Sequence, residues 1–197
     1  MLRCFLAIEL PKTIVKKIEE VQRDLKTSHA DVKWVYPENI HLTLKFFGNI
    51  EESRVDPILQ SIGGQIQRTS PFSMKVQGIG AFPHSKNPRV IWMGLIDGKE
   101  VLATFQKELE GTLAKIGFEA EDRPFQPHLT LGRVKTSRGK DDLIGKMEKH
   151  REEEFGDFAV EEVILFKSEL KPTGPIYTPI RKFKLGLGRS GDCEVGG

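Results

Sequence analysis

Apolar residues in this chain switch between two periods. Phe5-Leu6-Ala7-Ile8 is a continuous apolar run and reads as a buried strand. Pro11 then opens a helix in which Ile14, Ile18, Val21 and Leu25 form one stripe at helical spacing. His41-Leu42-Thr43-Leu44 alternates polar and apolar at strand period. Val55, Ile58, Leu59, Ile62 and Ile66 mark a second helix, weakened at its far end by Gly63-Gly64. Phe72, Met74 and Val76 alternate in a strand that extends toward Phe82.

The rest of the chain repeats this order. Val90 to Met93 reads as a strand, and Leu102, Phe105, Leu109, Leu113 and Ile116 as a helical stripe stopped by Gly117. His128-Leu129-Thr130-Leu131 is again a strand, and Leu143, Ile144 and Met147 mark a shorter, charged helix. Val163 to Phe166 is a strand, and Tyr177 to Leu187 adds a last one carrying Arg181, Lys182 and Lys184. From His41 to His128 is 87 positions, and the same offset superimposes the other elements. Phe5 falls on Trp92, the helix near 12–29 on 99–116, the helix near 52–67 on 139–154, the strand at Phe72 on 159, and Pro37 on Pro124. A β-α-β-α-β order kept at constant spacing predicts an α+β fold built by duplication. The expected domain is 1–187, in two repeats of about 1–86 and 87–187 related by a pseudo-twofold. Each lobe is a small antiparallel-rich sheet covered by two helices, with a cleft between the lobes. Residues 188–197 are small and polar and read as a tail without fixed structure.

Composition narrows the partners. In 197 residues, 30 Lys and Arg face 28 Asp and Glu, for a net charge of +2, so bulk basicity gives no hold on nucleic acid. Any RNA contact must come from a local site. The two cysteines, Cys4 and Cys193, form neither a framework nor a CxxC pair, which points to a reducing compartment. The apolar N-terminus is interrupted by Glu9 and no run reaches the roughly 18 apolar residues of a membrane span, so a cytoplasmic protein with no membrane role is expected.

The candidate chemistry follows from strand alternation. With Leu42 and Leu44 inward, His41 and Thr43 share the opposite face, and His128 and Thr130 do the same beside Leu129 and Leu131. Two such strands facing each other bring two imidazoles and two hydroxyls to one cleft. One neutral and one protonated imidazole suit paired acid/base catalysis. The hydroxyls suit the oxygens of an anionic substrate. Lys45 shares this face if the strand runs on regularly. Arg133 falls on the Leu face by strict alternation and reaches the cleft only if Gly132 bulges or ends the strand. Lys86 and Arg89, in the loop from Phe82 to Arg89, are further phosphate candidates. His29, His84 and His150 stand apart at a helix end, in a loop and on a charged face. No His or Cys spacing suits zinc, so no metal and no cofactor are expected.

The residues from Pro37 to Gly48, from Phe125 to Arg133, and the opening Arg3-Cys4-Phe5-Leu6-Ala7-Ile8 resemble the 2H phosphoesterase superfamily with its two HxTx motifs. They are most similar to its archaeal and bacterial RNA 2′,3′-cyclic phosphodiesterase family, first described as 2′-5′ RNA ligases. The resemblance covers nearly the whole chain up to about Leu187. It implies metal-free hydrolysis of terminal 2′,3′-cyclic phosphates to 2′-phosphomonoesters by cleavage of the P–O3′ bond. It implies His41 as proton donor, His128 as proton acceptor, and Thr43 and Thr130 as phosphate contacts. RNA termini, tRNA halves among them, are the implied partners of a monomer, with reverse 2′-5′ joining as an accompanying reaction. The residues alone do not decide which histidine is the acid. Two other readings stay open: the same residues acting on a small cyclic nucleotide or a 2′-5′ oligonucleotide, and a non-catalytic RNA-end binding module using Arg181 to Lys184.

Overall fold

The computed structural model describes residues 1–121, 124–172 and 174–186. The first half of the chain forms β1 (Leu2–Glu9), α1 (Lys12–Lys26), β2 (Val32–Trp34), β3 (His41–Ile50), α2 (Val55–Arg68) and β4 (Phe72–Phe82). The second half forms β5 (Val90–Leu95), α3 (Lys99–Ala114), β6 (His128–Val134), α4 (Lys140–Lys149), β7 (Glu154–Val160), β8 (Glu162–Lys171) and β9 (Gly174–Lys184). The expected tail 188–197 and Leu187 lie outside the described residues.

Local chemistry accounts for the helices. α1 starts directly after Pro11, whose extended backbone precedes the first turn, and it buries Ile14, Ile18, Val21 and Leu25. Arg23 and Lys26 in its last turn complement the carbonyl end of the helix dipole. α2 buries Ile58, Ile62 and Ile66, and α3 buries Leu102, Phe105, Leu109 and Leu113. Each fully buried Ile or Leu contributes roughly 1.5–3 kcal/mol by leaving water, so these stripes hold the helices in place.

All strand pairs are antiparallel and form two sheets, β3-β1-β8-β9 and β2-β6-β5-β4-β7. α2 and α3 pack together against the first sheet, and α1 and α4 pack together against the second. An offset of 87 carries β3 and β1 onto β6 and β5, as the sequence predicts. The departure is an exchange of β4 and β8 between the sheets. β4, from the first half of the chain, lies in the second sheet, and β8, from the second half, lies in the first. The two sheets therefore do not coincide with residues 1–86 and 87–187. The cause is the connection 83–89, which is short enough to make β4 and β5 a hairpin and so draws β4 across the midpoint of the chain.

Two strands are not read directly from the pattern. β2 has only three residues, too few to show a period. β7 is reached only by the offset, which carries the strand at Phe72 to 159 and a helix as far as 154. Its buried residues Phe155 and Phe158 are three apart because Phe155 is an unpaired bulge residue: Gln77 lies opposite Glu154, and Val76 opposite Gly156. The bulge disguises a strand as one turn of helix.

β1 is buried on both faces. Cys4, Leu6 and Ile8 join the main core under the helices, while Phe5 and Ala7 form a second cluster with Ile164 and Phe166 on the other side. That other side, which no helix among the described residues covers, is the face on which His41 lies, stacked on Phe5.

Candidate active site

Both HxTx strands contain a bulge at the same place. In the β1–β3 ladder, Ala7 lies opposite Thr43 and Leu6 opposite Lys45, so Leu44 has no partner. In the β5–β6 ladder, Trp92 lies opposite Thr130 and Ile91 opposite Gly132, so Leu131 has none. Two consecutive residues then turn to the core, Leu44-Lys45 and Leu131-Gly132. The next residues, Phe46 and Arg133, return to the face of the histidine and threonine, opposite Phe5 and Val90.

This geometry removes Lys45 from the candidate site. Strict alternation puts it beside His41, but the bulge turns it inward, where it is 5% exposed. Its Nζ donates to Glu110 Oε2 at 2.8 Å and to the Glu119 carbonyl at 2.7 Å. The same device brings Arg133 to the face of His128 and Thr130, exposed to solvent. Gly132 is needed for it: a Cβ there meets Val32 Cγ1 at 2.7 Å and Trp34 Cε3 at 3.0 Å, because β2 closes directly over the bulge.

The histidines are held alike. His41 Nδ1 lies 2.9 Å from the Asn39 carbonyl, and His128 Nδ1 lies 2.7 Å from the Gln126 carbonyl, each two residues upstream. A carbonyl only accepts, so each Nδ1 carries a hydrogen and donates it. That fixes the neutral tautomer and leaves Nε2 as the nitrogen that exchanges protons in both rings. Asn39 is itself tied down, its Nδ2 donating to the Pro175 carbonyl at 3.1 Å at the start of β9.

Their surroundings differ. His41 stacks on Phe5 at 4.6 Å and meets the edge of Tyr177 at 5.3 Å. Burial pushes its pKa below the ordinary imidazole value, with the Asn39 hydrogen bond opposing the shift. Among the described residues, His128 meets only the Phe82 ring, edge-on at 5.0 Å. Among the described residues, no protein group bonds the Thr43 or Thr130 hydroxyls. β3 and β6 are the strands through which the two sheets approach one another most extensively.

A cavity of 170 Å³ opens beside His41, lined by Glu9, Asn39, Phe166, Tyr177 and Pro179 among others. A wider hollow of 630 Å³ lies between Phe46, Phe47 and the segment 117–121. Its rim carries Glu119 and Glu121, which do not suit a phosphate. Sequence alone marks Tyr177 only as a strand residue. Its place beside His41 depends on β9 pairing with β8, a contact no local pattern encodes.

The remaining candidates lie elsewhere. Lys86 and Arg89 are exposed in the β4–β5 loop. Lys182 is shared between Glu162 at 3.0 Å and Glu9 at 3.5 Å, so part of the Arg181–Lys184 charge is neutralised within the edge strand. His29 takes a left-handed backbone conformation just past α1. His150 is held by Asp24 and Glu153. Among the described residues, no three His, Cys, Asp or Glu side chains are grouped to hold a metal ion. No helix among them is long and apolar enough to cross a membrane.

Comparison with known proteins gives a consistent picture. Residues 8–92 and 96–177 match the family described as LigT like Phosphoesterase. The RNA 2′,3′-cyclic phosphodiesterase of Methanothermobacter thermautotrophicus is 38% identical over 93% of this chain and 98% of its own. That of Methanocaldococcus jannaschii is also 38% identical, over 92% of this chain and all of its own. A crystal structure of a Thermus thermophilus protein superimposes with a TM-score of 0.78 at 28% identity, covering 95% of this chain and 99% of that one. Escherichia coli LigT complexed with 3′-AMP superimposes with a TM-score of 0.72 at 25% identity, covering 93% and 98%. With two-thirds and more of each chain aligned and both HxTx strands inside the matched segments, this protein belongs to the LigT-like 2H phosphoesterase family.

Proposed function

We propose that this protein hydrolyses RNA 2′,3′-cyclic phosphate ends to 2′-phosphomonoesters without a metal ion, using His41 and His128 as an acid/base pair. The observation that carries the reading is the matched anchoring of the two rings: each donates Nδ1–H to a carbonyl two residues back and leaves Nε2 free. The names of the relatives supply the substrate class.

In the proposed step, His128 Nε2 removes a proton from water as its oxygen attacks phosphorus. His41 Nε2–H gives a proton to the departing O3′. The P–O3′ bond breaks, the hydroxyl of water stays on phosphorus, and the product carries a 2′-phosphate and a free 3′-OH. Thr43 and Thr130 donate to the non-bridging oxygens, and Arg133 adds a cation on the same face. An acid must be protonated, yet burial favours neutral His41 in the free protein. The negative charge of the bound phosphodiester compensates by favouring imidazolium. A 5′-hydroxyl in place of water gives the reverse 2′-5′ joining.

Both halves contribute one histidine and one threonine, which supports a tandem duplication as the origin of the site. We read the protein as a cytoplasmic monomer acting on RNA ends such as tRNA halves. The binding-module reading is weakened by the ion pairs that occupy Lys182.

The test is an oligoribonucleotide ending in 2′,3′-cyclic phosphate, incubated with the protein and EDTA, with the termini analysed. A 2′-phosphate product is expected, and His41→Ala and His128→Ala each lower kcat by about 10²–10⁴-fold. Loss of activity in EDTA overturns the metal-free mechanism. Binding without turnover overturns the hydrolase reading, and turnover confined to small cyclic nucleotides overturns the RNA substrate.

A further inference from the structure

We infer that Gln22 is a positioning residue for the cleft: its side-chain amide, delivered from α1, fixes the β6 bulge that turns Arg133 onto the face of His128 and Thr130. The inference rests on the proposed role of Arg133 as a phosphate contact.

Gln22 sits within the apolar stripe of α1 and is 1% exposed. A buried amide is unfavourable unless its hydrogens are used. Both are used on backbone: Nε2 donates to the Val35 carbonyl at 2.8 Å and to the Leu131 carbonyl at 3.0 Å. Leu131 is the residue left unpaired by the bulge. Its carbonyl takes the Gln22 hydrogen together with the Val35 N–H, at 2.9 Å. One side chain thus bridges the chain leaving β2 and the irregular point of β6. Without the bridge, the Val35 carbonyl loses a buried partner and Leu131 keeps one donor of two. Regular pairing then becomes competitive, and a one-residue shift carries Arg133 from the cleft face to the core face.

The other half of the chain has a counterpart. Gln106 of α3, 8% exposed, donates to the Leu44 carbonyl at 3.4 Å, and Leu44 is the unpaired residue of the β3 bulge. Its amide is shared with Glu110 Oε1 at 3.0 Å, so its hold on the backbone is the weaker of the two. Each glutamine comes from the half of the chain opposite to the strand it holds.

The test is a double-mutant cycle on the cyclic-phosphate oligonucleotide, with kcat and KM separated. Gln22→Met keeps the volume and removes the donors. It is expected to raise KM about 10-fold, the scale of one charge-assisted hydrogen bond, with kcat changed less than about threefold. Arg133→Ala alone is expected to raise KM comparably, and the double variant no further. Gln106→Met, which does not touch β6, is expected to multiply with Arg133→Ala. Multiplying effects of Gln22→Met and Arg133→Ala overturn the inference, as does an unchanged KM in Gln22→Met. Should Gln22→Met fail to fold, Gln22→Ser, which admits water to the two carbonyls, carries the same cycle. A crystal structure of the variant gives a readout independent of activity. An unaltered bulge with Arg133 still on the cleft face refutes the inference even if the wild-type protein proves inactive. An altered bulge with no effect of Arg133→Ala on KM shows instead that the phosphate role fails.

Discussion

Replacing Lys45 by Met separates a buried structural charge from a substrate contact. Lys45 and Glu110 have side chains 6% and 10% exposed, with nitrogen and oxygen 2.8 Å apart. Met keeps the length of the lysine stem but leaves the Glu110 carboxylate buried without its cation, and leaves the Glu119 carbonyl without a donor. Removing one partner of a buried pair costs about 3–5 kcal/mol. Gln106 still donates to Glu110 Oε1 at 3.0 Å, which favours the lower end, about 3 kcal/mol. For a chain of this size that lowers Tm by roughly 6–12 °C. Because the side chain faces the core, KM for the cyclic-phosphate end is expected to stay within about twofold at a temperature where the variant is folded. The companion variant Lys45→Met/Glu110→Met removes both charges and is expected to recover most of the lost stability. The assays are thermal unfolding followed by circular dichroism and steady-state kinetics well below Tm. An unchanged Tm with a tenfold rise in KM refutes the reasoning and returns Lys45 to the phosphate.

Two further outcomes follow from the same structure. Burial lowers the His41 pKa, so as pH falls below the ordinary imidazole value of about 6.5 the unfolded chain binds a proton that folded His41 resists. Wild type is therefore expected to lose more stability than His41→Gln between pH 7.5 and pH 5, read from urea midpoints; equal losses, or a greater loss in the variant, refute the assignment. Separately expressed fragments 1–86 and 87–186 are expected to remain unfolded alone, because β4 and β8 each complete the other fragment's sheet, and to show cooperative unfolding only when mixed; a cooperative transition in either fragment alone contradicts the exchanged topology.

The sequence shows most clearly what depends on local period. His41 and Thr43 flank Leu42, which is fully buried, so their shared face follows from alternation alone. The 87-residue offset is readable because the two HxTx motifs lie 87 positions apart and the same spacing carries α1 onto the span of α3. The bulges are not readable, because they are properties of two strands at once. Lys45 turns inward only because Leu6, on another strand, pairs with it rather than with Leu44. The exchange of β4 and β8 escapes for a related reason: which sheet a strand joins is set by its partner and its loop, not by its own pattern. One signal is present in the sequence and easily passed over. Gln22 interrupts the Ile14, Ile18, Val21, Leu25 stripe at a position that helical spacing places inside the core. A polar residue there implies a buried partner.

The two HxTx strands are built alike, but the proposed reaction, which takes a proton at one site and gives one at another, needs unlike ones. The backbone supplies the likeness: matched bulges at Leu44 and Leu131 and matched Nδ1 anchors at the carbonyls of Asn39 and Gln126. The side chains at equivalent positions supply the difference. Lys45, tied to Glu110, stands where the other half has Gly132, packed under β2. Phe46 stands where the other half has Arg133, so one rim is apolar and the other cationic. Phe5, stacked on His41, stands where the other half has Trp92, whose ring lies over Gly80 and touches Phe82 rather than His128. Tyr177 encloses His41 from β9, a strand with no counterpart in the first half. In the proposed mechanism, identical tautomers in unlike surroundings are what let one imidazole donate while the other accepts. On this reasoning the asymmetry resides in Phe5, Tyr177 and Arg133 rather than in the histidines themselves.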